Sequence, residues 1–283
     1  MTSTGKPLAM STDRQLMRTD RRFMRTATSE QKPSLVLTAA TLVMSYALLS
    51  AVLVAVGLAL THLLGPVMHW DDHVNSWFAS HRTSGWNSLS KDGTFIANTL
   101  GIVVVGVVVT AIALVMRWGR IAALVVCALA VEIATFVTVN YAVARPRPAV
   151  PHLGPTPSTY SFPSGHVAAT FVLYGGIAVI ATFRTRVTWV RVLAWIVAAV
   201  ATTWVALSRV YEAEHHPTDA MAGLLLGVGA LSAAVLAIRP AWAATGRRSM
   251  AGVRERSTSS DDRTRLVPSV ADDRRTAPRE AVR

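Results

Sequence analysis

Six long apolar stretches constrain the fold of this chain more than any other feature. A helix needs roughly 20 residues to cross a bilayer, and stretches of about this length or longer lie at about 35–64, 95–116, 121–143, 167–183, 189–207 and 218–238. Of the 283 residues, 52% are hydrophobic and only 16% are charged, which is too apolar for an ordinary soluble domain of this size. The predicted fold is therefore all-α, a polytopic bundle of six transmembrane helices within residues 34–238.

The two ends of the chain have the opposite composition. Residues 1–33 and 239–283 are polar and rich in arginine, with too few large apolar residues to form a core. We expect both to be disordered tails, the C-terminal one with affinity for anionic lipid headgroups. The apolar run that follows residue 33 is longer than the core of a signal peptide, so the first span is expected to be retained.

The distribution of basic residues predicts the orientation in the membrane. With an even number of spans, both tails lie on one side, and that side carries 23 of the 28 Lys and Arg residues, against five on the other. Lys and Arg accumulate in cytoplasmic segments, so both termini are predicted to be cytoplasmic in a multi-pass protein of the cytoplasmic membrane. The net charge of +12 is explained by this distribution of basic residues across the membrane, and we predict no nucleic-acid partner.

All eight histidines lie on or near the outer side, where chemistry is therefore expected. The first outer segment, Gly65 to Gly93, contains four aromatic residues, as expected of a segment at headgroup depth. Its four metal-ligating side chains fit no defensible ligand spacing: His69, Asp71, Asp72 and His73. We predict a solvated polar loop here and no metal site.

A hexapeptide, Ser161 to His166, precedes the fourth span. A proline, a small residue and a glycine at a helix start leave backbone N–H groups free to bind an anion, and a histidine follows at once. The same residues are equally consistent with an ordinary helix start. The decision depends on partners elsewhere in the chain.

Two other outer segments supply such partners. The third span is followed by Arg145 and Arg147, which lie on the side where the positive-inside rule does not place them, so an anion is expected to offset them. The fifth span is followed by His215, and Asp219 comes four residues later, close enough to accept the imidazole Nδ1–H and leave Nε2 free. Considered one at a time, the two residues have ordinary explanations: His215 as a surface histidine, and Asp219 as a partner of the helix dipole.

Taken together, the three segments are specific. Arg-Pro after one span, Pro-Ser-Gly-His before the next, and Ser208-Arg209 followed at fixed spacing by His215 and Asp219 resemble the three-part signature of the type 2 phosphatidic acid phosphatase superfamily. The order, the spacing and the membrane side all agree. The resemblance implies a phosphatidic acid phosphatase/haloperoxidase-like helical core.

The resemblance also implies a role for each motif residue. His215 would be the nucleophile that forms a phosphohistidine, Asp219 would orient it, and His166 would protonate the departing alkoxide. The phosphoryl oxygens would be bound by a group of donors: Arg147, Arg209, Ser164 and the Gly165 backbone N–H. Such donors suit a transition state whose charge is spread over three oxygens. No metal or other cofactor is implied.

One position departs from the signature. Asn140 stands where the family usually has a lysine, seven residues before Arg147, and it brings no charge to a bound phosphate. We hypothesise that Arg145 takes over the lysine's role. Glu132 lies in the third span, thirteen residues before Arg145 or roughly 20 Å deeper at helical rise. It is expected to contact a polar group on a neighbouring helix or to be protonated, and not to join the phosphate site.

These observations predict a metal-independent membrane phosphatase. Its substrate would be a lipid phosphomonoester or pyrophosphate, such as phosphatidic acid, phosphatidylglycerol phosphate or a polyprenyl pyrophosphate, hydrolysed at the outer face and surrounded by membrane lipids. Two alternatives stay open: phosphoryl transfer from the same site to an acceptor other than water, and a catalytically degenerate lipid-binding protein. The haloperoxidases of the superfamily are soluble, and the apolar spans argue against them.

Overall fold

The computed structural model describes residues 35–96, 99–154 and 158–238, and within these ranges the chain is helical, with no β-strand. In chain order the helices are α1 (Leu35–His62), α2 (Gly65–Ser80), α3 (Ser84–Ile96), α4 (Thr99–Val115), α5 (Gly119–Val143), α6 (Gly165–Arg184), α7 (Thr188–Tyr211) and α8 (Pro217–Ile238). The predicted all-α fold is confirmed. The tails predicted for residues 1–33 and 239–283 lie outside the described residues.

Five of these helices, α1, α5, α6, α7 and α8, are long and apolar enough to cross a membrane. Their bounds agree with the predicted spans to within a few residues. The remaining predicted span, 95–116, corresponds mainly to α4, which has 17 residues and is shorter than the roughly 20 that a span needs. The predicted count of six spans is therefore not confirmed.

The helix ends follow from local sequence. Pro66 lies in the first turn of α2, and Pro217 begins α8, positions at which the missing N–H of proline costs no helical hydrogen bond. At the C-terminal end of α5, Ala144 adopts a left-handed conformation with φ of 48°, and its N–H donates to the Asn140 carbonyl. Two prolines follow at 146 and 148, so the chain leaves the helix axis at this point.

The prediction of a solvated loop over Gly65 to Gly93 was wrong. This segment forms α2 and most of α3, and the side chains of Asp71 and Asn75 are buried, with exposed fractions of 0% and 1%. The two residues are one helical turn apart and so share one face of α2. That face packs onto other parts of the chain, and the Asp71 carboxylate and the Asn75 amide N–H groups are bonded to protein.

The segment between α5 and α6 is anchored in the core of the bundle. The Phe162 ring is fully buried in a cluster with Leu53 of α1, Val139 of α5 and Leu226 of α8. Phe162 thereby holds the last residues before α6 against these three helices. The opposite faces of α1, α4 and α7 expose large aliphatic side chains, as expected of surfaces that contact lipid.

Glycines in α8 allow it to approach α6 closely, as the sequence predicts. A Cβ atom built on Gly227 would lie 2.8 Å from the Ala168 carbonyl oxygen, and one on Gly229 would collide with Leu49 of α1. A Cβ on Gly223 would overlap the Ser164 carbonyl oxygen and lie 3.1 Å from the Ser164 Cβ. The position of Ser164 therefore depends on residue 223 having no side chain.

We expect Gly223→Ala to lower the thermal unfolding midpoint in detergent, because overpacking of a close contact costs about 1–3 kcal/mol. Gly85→Ala is the matched control, since a Cβ there meets nothing within 4 Å. The control should leave the midpoint unchanged or raise it slightly. Equal midpoints for the two variants would contradict the proposed close contact.

Candidate active site

Residues from three separate segments meet at one end of the bundle. The segments are 144–164, the first turn of α6, and the short connection 212–216 between α7 and α8. Backbone hydrogen bonds join them: the Ser161 N–H donates to the Arg145 carbonyl over 2.9 Å, and the Ser164 N–H donates to the Asp219 carbonyl over 3.0 Å. The site residues predicted from three distant stretches of sequence are thus neighbours.

His215 is buried, and the Nδ1–H of its ring donates to the Ser161 carbonyl oxygen over 2.7 Å. This bond assigns the proton to Nδ1 and leaves Nε2 without a hydrogen-bond partner in the described part of the chain. Burial, together with the positive charges nearby, lowers the pKa of His215 to about 3, although Asp219 opposes the shift. The imidazole is therefore neutral at pH 7, and Nε2 carries a free lone pair.

His166, the second residue of α6, faces His215. The two ring centroids are 6.5 Å apart and the ring planes are inclined by 60°. Both rings line the same cavity.

Asp219 does not make the hydrogen bond predicted for it. Its carboxylate accepts from the His216 backbone N–H over 2.8 Å, from the His216 Nδ1–H over 2.9 Å and from the Ser161 hydroxyl over 2.5 Å. Asp219 is the third residue of α8 and His216 precedes the helix, so the carboxylate reaches back to cap the first turn. Asp219 acts on His215 indirectly, by fixing Ser161, whose carbonyl binds the His215 ring.

Arg145 does not occupy the position predicted for it as a phosphate ligand. Its guanidinium is 1% exposed and bridges two buried carboxylates, Asp219 at 2.6 Å and Asp71 at 2.8 Å. Burial by itself would lower the pKa of Arg145, but the two carboxylates reverse this and raise it. The hypothesis that Arg145 replaces the missing lysine is therefore wrong, since both of its carboxylate partners are internal.

Asn140 is also structural. Its side-chain amide donates to the carbonyl oxygens of Tyr160 and Phe162 over 2.9 and 3.0 Å, and its carbonyl oxygen accepts from the Tyr160 N–H over 3.1 Å. Asn140 is fully buried, so it is not a phosphate donor as the sequence suggested. It ties the 158–164 segment to α5, and a lysine has no acceptor with which to make the third of these bonds.

Asp71 and Asn75 belong to the site, although sequence reasoning did not include them. Asp71 accepts from the Thr218 N–H and hydroxyl over 3.1 and 2.5 Å as well as from Arg145. Asn75 donates to the carbonyl oxygens of Val210 and His215 over 3.2 and 3.1 Å. Helix α2 thus fixes the backbone on both sides of the His215–Pro217 turn. The only sequence signal was the four-residue spacing of two polar residues.

The two predicted phosphate-binding arginines lie near glutamates of the 212–216 connection. Arg147 donates to the Glu214 carboxylate over 3.0 Å and to the Glu214 carbonyl, and Arg209 bonds to Glu212. Burial lowers the pKa of Arg147, and the charge of Arg209 acts in the same direction. Burial also raises the pKa of Glu214, against the effect of the nearby Arg147 and Arg209. The charge of Arg209 is thus close enough to affect the pKa of Arg147, as expected of two side chains that bind one anion.

Ser164 precedes the first turn of α6. Its side chain is fully buried, and its hydroxyl has no hydrogen-bond partner among the described residues. The adjacent backbone N–H of Gly165 belongs to the first turn of α6, where the first four N–H groups have no partner within the helix. An unpaired hydroxyl beside a helix N-terminus is an arrangement that suits an anion.

A cavity of about 910 Å³ begins at this cluster. Arg147, His166 and His215 line its polar end, and aliphatic side chains of α4 and α5 line the remainder. Glu132 is the one acidic residue in the lining. The shape and composition suit an apolar chain with a charged head.

The comparisons with known proteins agree with this arrangement. The family model of the PAP2 superfamily matches residues 120–243. This region belongs to the PAP2 superfamily. The resemblance drawn from the three motifs is thereby confirmed, and the PAP2 region contains every predicted site residue. Asp71 and Asn75 lie before it.

Individual PAP2 relatives are more distant. An undecaprenyl-diphosphatase of Sulfolobus acidocaldarius is 39% identical over 75 residues, which is 26% of this chain and only 32% of the relative. The crystal structure of a transmembrane PAP2-type phosphatidylglycerolphosphate phosphatase from Bacillus subtilis aligns with a TM-score of 0.57 and 21% identity, over 69% of this chain and 92% of the other. LpxE of Aquifex aeolicus aligns with a TM-score of 0.46 and 15% identity, over 59% and 93%. The Bacillus structure supports the PAP2 transmembrane fold, and the apolar helices support a multi-pass membrane protein.

Proposed function

We propose that this protein is an integral membrane phosphatase that removes a phosphate group from a lipid through a phosphohistidine intermediate. The observation that carries the proposal is the cavity, because one apolar space ends at two histidines and an arginine. An acyl or prenyl chain fits the apolar part while its phosphate lies between His166 and His215. A soluble sugar phosphate would leave the apolar part empty.

In the first step, Nε2 of His215 attacks phosphorus, and the bond between phosphorus and the lipid oxygen breaks. The Nδ1 proton stays on the ring, bonded to the Ser161 carbonyl, so the phosphorylated imidazole is held in place. His166 gives its proton to the departing lipid oxygen. The phosphoryl oxygens are stabilised by Arg147 and Arg209, with the Ser164 hydroxyl at the start of α6.

In the second step, a water molecule attacks the phosphohistidine. His166, now neutral, takes a proton from that water, and the bond between phosphorus and Nε2 breaks. Inorganic phosphate leaves, and both histidines return to their starting states. The alternative acceptor in this step, an alcohol, gives a phosphotransferase from the same residues.

The orientation forms part of the proposal. If α4 crosses the membrane as the five longer helices do, both tails lie on the side that carries 23 basic residues, and the positive-inside rule assigns that side to the cytoplasm and the site to the outer face. The chain would then act on lipid phosphates of the outer leaflet of the cytoplasmic membrane.

The test is phosphate release by the purified full chain from a panel of lipid phosphates. The relatives suggest two members, undecaprenyl diphosphate and phosphatidylglycerol phosphate, and phosphatidic acid is the third. We expect release to persist in EDTA, because the groups that offset the phosphate charge are arginine side chains.

Loss of activity in EDTA that added magnesium restores would contradict the metal-independent mechanism. Release from none of the lipids, with transfer of phosphate to an added alcohol, would favour the phosphotransferase. If the chain neither releases nor transfers phosphate, the result would favour a lipid-binding protein.

A further inference from the structure

Glu132 lies much closer to the candidate active site than helical rise along α5 predicts. Residues 158–164 lie against the last turns of α5, where Asn140 binds the carbonyl groups of Tyr160 and Phe162, so α6 begins below the end of α5. The Phe136 ring lies 3.0 Å from a Cβ built on Gly165. Glu132 is four residues before Phe136, which places it about 6 Å deeper than the start of α6. Glu132 thus lies near the start of α6, although thirteen residues separate it from Arg145 along the chain.

The side chain of Glu132 is 3% exposed and lines the same cavity as His166 and His215. The carboxyl group makes no hydrogen bond or ion pair with any residue that the structure describes, so the predicted contact with a neighbouring helix is not made. Its neighbours in the cavity wall are aliphatic, including Leu129 and Ile133. Burying a carboxyl group without a partner is costly, and such residues in membrane segments are functional candidates.

The depth of Glu132 limits what its partner can be. A phosphate between the two histidines places the first several bonds of the lipid within about 6 Å of it, beside Glu132. In a glycerolipid this stretch carries ester carbonyl oxygens, whereas in a polyprenyl phosphate it is hydrocarbon. A carboxylic acid donates a hydrogen bond to a carbonyl oxygen and has nothing to bond to on a prenyl chain.

We propose that Glu132 is a specificity residue that binds the ester linkage of a glycerolipid phosphate, so that the cavity selects diacyl over polyprenyl substrates. This inference rests on the proposed phosphatase function. It adds a second polar contact, one helical turn below the phosphate, and it gives the buried carboxyl group the partner that the described protein does not supply.

The experiment compares three lipids in the same mixed micelles: diacyl phosphatidic acid, its dialkyl ether analogue and a polyprenyl phosphate. The chains are the wild type, Glu132→Leu and Glu132→Gln, with Ala134→Leu as a control at an exposed position of α5 outside the cavity lining. We expect Glu132→Leu to raise KM for the ester lipid about tenfold, the effect of losing one buried hydrogen bond. The ether lipid and the polyprenyl phosphate should keep their KM.

Glu132→Gln keeps an N–H donor and should retain the preference for the ester. The control should treat the three lipids as the wild type does, and the unfolding midpoints report whether each variant is folded. An equal effect of Glu132→Leu on all three lipids, or no effect on any, would overturn the inference while leaving the phosphatase intact. A wild-type chain that hydrolyses neither these three lipids nor undecaprenyl diphosphate and phosphatidylglycerol phosphate would overturn the proposed function, and the inference with it. A wild type that hydrolyses only the polyprenyl lipids would overturn the inference alone.

Discussion

Replacing His215 with alanine should lower phosphate release by roughly 10⁴-fold or more, the scale on which loss of a nucleophile acts. His216→Ala should lower it by only roughly 10- to 100-fold, as misplacement of a positioned group does. The two residues are adjacent and both are buried. They differ in their contacts: the His215 ring bonds to a backbone carbonyl and leaves Nε2 free, whereas the His216 ring bonds to Asp219. Only the first arrangement presents a nucleophile to the cavity.

The intermediate distinguishes the two variants more sharply than the rate. With a substrate labelled in the terminal phosphate, the wild type and His216→Ala should both form a labelled protein whose bond survives alkali and is lost in acid. His215→Ala should form none. Both variants should retain an unfolding transition in detergent. If His215→Ala were labelled, or if only His216→Ala lost the label, His215 would not be the nucleophile.

The sequence was informative wherever a pattern is local. Apolar stretches of sufficient length predict helices because backbone groups in a bilayer must bond within the segment, and α1 and α5 to α8 follow those stretches closely. The predicted span 95–116 covers α4 but begins in the last residues of α3, so the apolar stretch in the sequence is longer than the helix. The proximity of His166, Arg147 and His215 could be predicted because the sequence shows both the order of the motifs and the side of the membrane on which they lie.

The contacts that hold the site were not readable, because they join residues far apart in sequence. Nothing near Asp71 shows that an arginine 74 residues later will meet it. The spacing from His215 to Asp219 suggested a direct bond, but the first turn of a helix offers a closer donor in the His216 N–H. Asn140 seemed a weakened phosphate ligand because only the folded chain shows the two carbonyl groups that it binds.

The largest effect on stability should come from Arg145→Met. Methionine provides an apolar side chain of similar length, but Asp71 and Asp219 are left buried without their shared cation. Breaking a buried ion pair from one side costs about 3–5 kcal/mol, so we expect a large drop in the free energy of unfolding, measured by SDS titration in mixed micelles. Loss of activity should accompany it, since Asp219 and Thr218 adjoin the His215 turn.

Two further variants separate this network from phosphate binding. The double variant Asp71→Asn/Arg145→Met removes one of the two uncompensated charges. Its loss of unfolding free energy should therefore be smaller than the sum of the two single losses by about 0.5–3 kcal/mol. Arg147→Met is the matched control, because Arg147 is more exposed and lines the cavity. It should raise KM strongly and change stability less. If Arg145→Met were instead as stable as the wild type and affected only KM, Arg145 would be a phosphate ligand, and the buried bridge that Arg145 forms between α2 and α8 would contribute no stability.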